Sequence, residues 1–141
     1  MNYKKEIEID RLDLDSENCR LPTANFICHE ELAEKIKERD DCKLELEVLE
    51  AKIDKEIRNT AEKKPSETQI KNMVIMDIRR HDKVKEYNEL NEEVNILKGA
   101  VNSFDKKNSA LKNLTNLYTS EYYVNGFKKK SQREGLNKWQ I

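Results

Sequence analysis

Apolar side chains recur every three to four positions from Tyr87 to Tyr122, a spacing that keeps one stripe on one side of a helix. Read in sevens, the stripe has as its a positions Tyr87, Val94, Val101, Asn108, Thr115 and Tyr122. Its d positions are Leu90, Leu97, Phe104, Leu111 and Tyr118. A single helix of about 36 residues would be about 54 Å long, and one apolar stripe on such a helix has too little surface to bury against itself. It therefore needs a partner helix, from the same chain or from another copy.

A second apolar stripe of helical period predicts an earlier helix from about Glu30 to Ala61. A polar link ending in Pro65 follows, and Ser66 with Gln69 has the pattern of a capping box. We therefore predict an all-α protein, an antiparallel hairpin of two long helices at about 30–63 and 66–123. The run from Arg79 to Lys83 has no apolar residue, and we expect a bend, a break or an exposed turn there.

The two ends of the chain differ from this hairpin, which we assign to residues 30–124. Alternation around Ile7 and Ile9 predicts a short extended arm, and Pro22 predicts irregular structure after it, so residues 1–29 form an arm and loop. Gly126 indicates the end of the last helix, and residues 125–141 form a basic, aromatic tail.

Asn108 interrupts the apolar seam. A single Asn at such a position costs stability but can fix register and the number of helices. The other interpretation is that the seam has frayed open at this point.

Composition favours long, solvent-washed helices that share a thin core, because 39% of the residues are charged and only 36% are hydrophobic. A thin core stabilises a single chain weakly, so we expect a homo-oligomer larger than a dimer. The predicted oligomerisation seam comprises Tyr87, Leu90, Val94, Leu97, Val101, Phe104, Leu111 and Tyr118. Neither a signal peptide nor a membrane span is visible, which predicts a cytoplasmic protein.

Charge is distributed unevenly along the chain. Residues 1–62 hold 18 acidic and 11 basic residues, whereas residues 98–141 hold 9 basic and 3 acidic ones. An acidic head and a basic end can attract a basic partner and a polyanion respectively, or they can attract each other between subunits.

The sequence has no catalytic motif, phosphate-binding loop or metal-ligand set, so we expect neither an enzyme nor a cofactor. The three cysteines, Cys19, Cys28 and Cys42, lack the spacing of a zinc site, and we expect reduced and mostly buried thiols. Cys28 and His29 offer one pair of zinc ligands without a second pair.

The tail combines cations with aromatic rings, as do surfaces that hold single-stranded nucleic acid without reading its sequence. The predicted DNA-binding residues are Phe127, Lys128, Lys129, Lys130, Arg133, Lys138 and Trp139. The alternative is a tail that only solubilises the protein. If the site lies on the helices instead, the candidates are Lys98, Lys106, Lys107 and Lys112.

Several short segments, in their order and spacing over residues 12–123, resemble the UvsY-like recombination mediators of bacteriophages, in the diverged form found in phages of Gram-positive bacteria. They are Leu12-Asp13-Leu14, Pro22 with Phe26, Leu32-Ala33, Ala51-Lys52-Ile53-Asp54, Ile57-Arg58, Thr68-Gln69-Ile70, Leu97-Lys98-Gly99-Ala100 and the segment Leu111 to Tyr123.

The resemblance implies a helical, ring-like homo-oligomer that binds single-stranded DNA. Such a protein helps a recombinase load on DNA in place of single-strand binding protein, in the cytoplasm of the host cell. The rival hypothesis is a non-enzymatic phage coiled-coil scaffold or an inhibitor of a host defence system. DNA binding separates the two hypotheses, because a scaffold should ignore DNA at physiological salt.

Overall fold

The structure is a computed structural model, and it describes residues 1–120. Over this range the chain forms four α-helices and no strand: α1 (Tyr3–Ile7), α2 (Leu14–Thr60), α3 (Glu67–Met76) and α4 (Ile78–Thr119). The prediction of an all-α protein is confirmed. The chain divides into two compact units, one of Met1–Phe26 with the segment from Ala100 onward, the other of Ile27–Gly99.

The expectation of an extended arm and an irregular loop over residues 1–29 is wrong. Ile7 ends α1, and Ile9 lies in the connection between α1 and α2. The α2 helix begins at Leu14 and passes through Pro22. Proline removes one backbone hydrogen bond from a helix, and here the burial of Leu21 and Ala24 on either side of it offsets that loss.

The expected break between Arg79 and Lys83 is also wrong, because these residues lie inside α4. The helix is interrupted at Asp77 instead, where the backbone is extended. Asp77 Oδ1 accepts a hydrogen bond of 2.9 Å from the amide of Arg79, so Asp77 caps the start of α4. Arg and Lys are good helix formers, and the side chains of the basic run pair with α2: Arg80 Nε lies 2.8 Å from Glu50 Oε1, and Lys83 pairs with Glu45.

The predicted capping box is confirmed at the start of α3. Ser66 Oγ accepts from the amide of Gln69 at 3.2 Å, and the Gln69 side chain accepts from the amide of Ser66 at 3.0 Å. The polar link before it, residues 61–66, is outside the helices, as its composition predicts. These bonds satisfy two of the amides that a helix leaves unpaired at its start.

The Ile27–Gly99 unit has a thin core built on small and branched side chains. Cys28, Cys42, Ile53, Ile70 and Val94 are buried. Around this core, partners on α4 fall in residue number as partners on α2 rise, from Lys35–Glu93 through Arg39–Asn91 and Glu50–Arg80 to Glu56–Arg79. Both buried thiols point at α4 carbonyl oxygens, Cys28 Sγ at Leu97 and Cys42 Sγ at Lys83, each at 4.0 Å.

The other unit packs α1 and the first turns of α2 against the last turns of α4. Its buried side chains are Leu21, Ala24, Ala100, Phe104 and Leu111, together with two charged residues described below. The ring of Tyr3 meets Phe104 edge-on, with ring centres 6.1 Å apart. This contact holds α1, a helix of only five residues, on the apolar face of α4.

Candidate nucleic-acid interface

The predicted DNA-binding residues of the tail, Phe127, Lys128, Lys129, Lys130, Arg133, Lys138 and Trp139, lie outside the described residues, as does the a position Tyr122. The helical alternatives are described, and they separate into two kinds. Lys98, Lys106 and Lys112 are exposed, whereas Lys107 is buried.

Lys107 is the centre of a buried ionic cluster. Its ammonium nitrogen lies 2.5 Å from Glu17 Oε2, with only 4% of the Lys107 side chain and 3% of the Glu17 side chain exposed. The same nitrogen donates to the backbone oxygens of Glu6 at 2.5 Å and Glu8 at 3.1 Å. The ammonium group therefore donates two hydrogen bonds to backbone oxygens and forms a buried ion pair with the Glu17 carboxylate.

The position of Lys107 also suits α1, which ends at Ile7. The last carbonyl groups of a helix have no partner within it and carry partial negative charge, so a cation near them is stabilising. Lys107 thus fastens α1 to α4 while it neutralises Glu17. Lys107 is therefore wrong as a candidate DNA contact, because its charge is already matched inside the chain.

Glu17 receives further support from its own helix, since Arg20 Nη2 lies 2.6 Å from Glu17 Oε1. Burial by itself raises the pKa of the Glu17 carboxyl, but hydrogen bonding and the charge of Lys107 outweigh burial, with smaller contributions from the Asp10 amide and Arg20. The pKa of Glu17 is consequently lower than its ordinary value. The carboxylate stays charged at neutral pH, as the pair with Lys107 requires.

The seam prediction failed to place Lys107 because it assumed that one face of α4 is buried along its whole length. From Ala100 onward, in the unit that contains α1, the buried face of α4 includes the position just before a predicted a residue. Ala100 and Lys107 are buried, whereas Asn108, the predicted a residue, is exposed on a helix that does not fray there. The two interpretations of Asn108 concern the seam with a partner helix, and both stay predictions. The spacing of Lys107, three residues after Phe104 and four before Leu111, was the signal in the sequence.

Three members of the predicted oligomerisation seam, Val94, Phe104 and Leu111, are buried within a single chain. They cannot join two copies unless the chain opens. The others are half-buried, and their role between copies stays a prediction: Tyr87, Leu90, Leu97, Val101 and Tyr118.

Lys112 lies at the centre of an exposed strip of uncharged polar side chains. Its neighbours one turn away are Asn108 and Ser109 on one side and Thr115 and Asn116 on the other, and all are exposed. Asn, Ser, Thr and Lys side chains are the groups that proteins commonly use to contact phosphate and sugar. We call these five residues the polar strip.

The polar strip also borders a shallow cleft. Lys112, Thr115 and Asn116 line it from α4, and Asn18 lines it from α2. The Asn18 amide nitrogen donates to the Leu14 carbonyl at 2.9 Å, which orients its side chain. A cleft with one cation and three uncharged hydrogen-bonding groups suits a phosphodiester better than an apolar ligand.

No family model, no curated protein and no solved structure matches this chain. Within residues 1–120, no helix carries an apolar stretch long enough to cross a bilayer. Nor does any group of three His, Cys, Asp or Glu side chains in that range converge on a possible metal position.

Two of the predicted buried thiols, Cys28 and Cys42, are buried, whereas Cys19 is exposed. Burial raises the pKa of the Cys42 thiol, and the nearby carboxylate of Glu86 raises it further. A thiol that stays protonated is a poor nucleophile. His29, the other half of the possible zinc pair, is exposed next to the buried Cys28.

Proposed function

We propose that this protein is a phage recombination mediator that binds single-stranded DNA in the host cytoplasm. It helps a recombinase replace single-strand binding protein on that DNA. The proposal rests first on the order of the segments that resemble UvsY-like mediators. The all-helical fold agrees with what that resemblance implies.

The observation that carries DNA binding is the charge of the last turns of α4. Residues 106–120 contain three lysines and no acidic residue. Because Glu17 neutralises Lys107, the charges left in water are those of Lys106 and Lys112. Residues 106–120 thus present cations and amides, which attract phosphates, although Asp13 and Asp15, at the start of α2, line a cleft with Tyr118.

The chain then continues from α4 toward the basic residues Lys128, Lys129, Lys130, Arg133 and Lys138, with the aromatic Phe127 and Trp139. In this proposal the polar strip holds the backbone, and the tail adds cations and stacking faces. Repetition of the site around a ring-like homo-oligomer then raises the affinity by avidity.

The proposal also includes an antiparallel hairpin of α2 and α4. Its support is the reversed order of partners in the Ile27–Gly99 unit, where Lys35 pairs with Glu93 and Arg80 with Glu50.

The test is binding of labelled oligo-dT to the full chain, measured by fluorescence anisotropy over a range of salt. If about four cations meet phosphates, log K should fall with log salt at a slope near −3 per protomer. Alanine at Lys128, Lys129 and Lys130 together should flatten the slope by roughly two. Trp139→Ala should weaken binding by about 1–3 kcal/mol with little change of slope.

Lys112→Ala examines the polar strip separately and should flatten the slope by about 0.7. Lys43→Ala is the matched control, since Lys43 is exposed on α2 in the Ile27–Gly99 unit. If the chain without residues 125–141 keeps full affinity, the helices form the site without the tail. If the intact protein does not bind oligo-dT even at low salt, the mediator proposal is wrong.

A scaffold or an inhibitor of a host defence system is the second candidate. The favouring observation is α3, whose side chains Met73, Ile75 and Met76 are exposed although all are apolar. Exposed apolar surface of this kind marks protein contacts more often than nucleic-acid contacts. If the protein does not bind DNA, this candidate becomes the favoured function.

A further inference from the structure

The outer face of α2 carries a stripe of five exposed residues at alternating spacings of three and four. They are Asp41, Leu44, Val48, Ala51 and Lys55, which we call the outer stripe. Leu44 is 60% exposed and Val48 is 55% exposed. The stripe lies opposite the buried Cys42 and Ile53 of the same helix, so the core of the Ile27–Gly99 unit leaves it uncovered.

Apolar surface continues beside the outer stripe. Ala51 borders a cleft that also has Val74 and Ile75 of α3 in its wall. Ile75 is itself 57% exposed. Charged residues, among them Glu50 and Asp54, line the rest of this cleft, so the apolar surface extends beyond the stripe only locally, at Ile75.

The charges of the outer stripe are arranged symmetrically about Val48. Asp41 lies seven residues before it and Lys55 seven residues after it, about 10.5 Å along the helix in each direction. Within residues 1–120, neither Asp41 nor Lys55 takes part in an ion pair, whereas their α2 neighbours Glu45, Glu50 and Arg58 do.

We propose that a second copy of this chain docks on the outer stripe, with the two α2 helices antiparallel and Val48 on the two-fold axis. This arrangement sets Asp41 of each copy against Lys55 of the other. It also places the larger Leu44 near the small Ala51, which lets the helices approach. A parallel arrangement would set Asp41 against Asp41 and Lys55 against Lys55, and like charges repel.

The contact is isologous, since the same patch serves on both copies. It goes beyond the proposed function, because it defines how copies meet and requires no DNA. The mass of the protein in solution tests this contact, whereas oligo-dT binding tests the mediator proposal, so the two can fail separately.

The test is charge reversal in the full chain, with the mass measured by light scattering over a concentration series. Asp41→Lys or Lys55→Asp alters two symmetric pairs from attraction to repulsion, so each should raise the dissociation constant of the contact about tenfold or more. The double variant Asp41→Lys/Lys55→Asp restores both pairs and should recover the original mass. Lys43→Asp, about 140° around the helix from Val48, should leave the mass unchanged.

A disulfide tests the register independently. In a Cys19→Ser background, which removes the exposed thiol, Val48→Cys should form a covalent dimer on oxidation because a residue on the axis meets its own copy. Lys43→Cys should not. A monomeric wild type, a double variant that fails to recover, or a Val48→Cys protein that stays unlinked would each overturn the proposal.

Discussion

Replacing Lys107 by methionine would remove an ammonium group and keep an unbranched chain of similar length. The change leaves Glu17 buried without its nearest cation and leaves the carbonyl oxygens of Glu6 and Glu8 without their donor. Breaking a buried ion pair by removing one partner costs about 3–5 kcal/mol. We expect the Lys107→Met variant to lose that much free energy of unfolding, because α1 loses its attachment to α4 in the same step.

A double-mutant cycle separates the pair from the rest of the cluster. Glu17→Gln removes the buried negative charge, so Glu17→Gln/Lys107→Met should be more stable than Lys107→Met by about 1–3 kcal/mol. Urea unfolding followed by far-UV circular dichroism, at one protein concentration, gives each free energy. Lys106→Met is the matched control, since Lys106 is the exposed neighbour and its replacement should change stability by at most about 0.5 kcal/mol.

Two results would refute this reasoning. A loss below about 1 kcal/mol for Lys107→Met would mean that the pair with Glu17 contributes no more than an exposed one. Strictly additive losses in the double variant would mean that Lys107 and Glu17 do not interact.

Three further predictions follow from particular side chains. The pKa of Glu17 is lowered in the folded chain, so the stability from this group is complete above its ordinary pKa of 4.5 and is lost as pH falls through its pKa in the folded chain. Between neutral pH and about pH 3, the free energy of unfolding should therefore decrease more for the wild type than for Lys107→Met. Ser66→Ala removes the capping bond to Gln69 and should cost about 1 kcal/mol in urea unfolding. A thiol reagent should modify Cys19 in the folded protein, whereas Cys42 should react only as the chain opens; equal rates would contradict its burial.

Local patterns predicted the helices well where a period or a cap determined them. Phe104 and Leu111, seven residues apart, share one buried face, as their spacing indicates, and the Ser66 capping box forms as its sequence indicates. Helical period is reliable here because a long helix must bury its apolar side regardless of what covers it.

The rest depended on contacts between distant parts of the chain. Proline at position 22 indicates a helix boundary when only its neighbours are considered, yet burial of Leu21 and Ala24 keeps α2 continuous. The basic run at Arg79 and Arg80 is helical, and it pairs with Glu56 and Glu50, more than twenty residues earlier. No local rule contains those partners.

Lys107 shows why this matters for the candidate interface. From sequence it is one of four similar lysines, and loss of DNA binding on its replacement would be interpreted as loss of a phosphate contact. In the structure its charge is matched by Glu17, so its replacement should act through stability, and the salt slope of the remaining folded protein should not change. Lys112 should behave in the opposite way, with stability retained and a flatter slope. Measuring stability and salt slope together therefore distinguishes a lysine that holds the fold from a lysine that holds DNA.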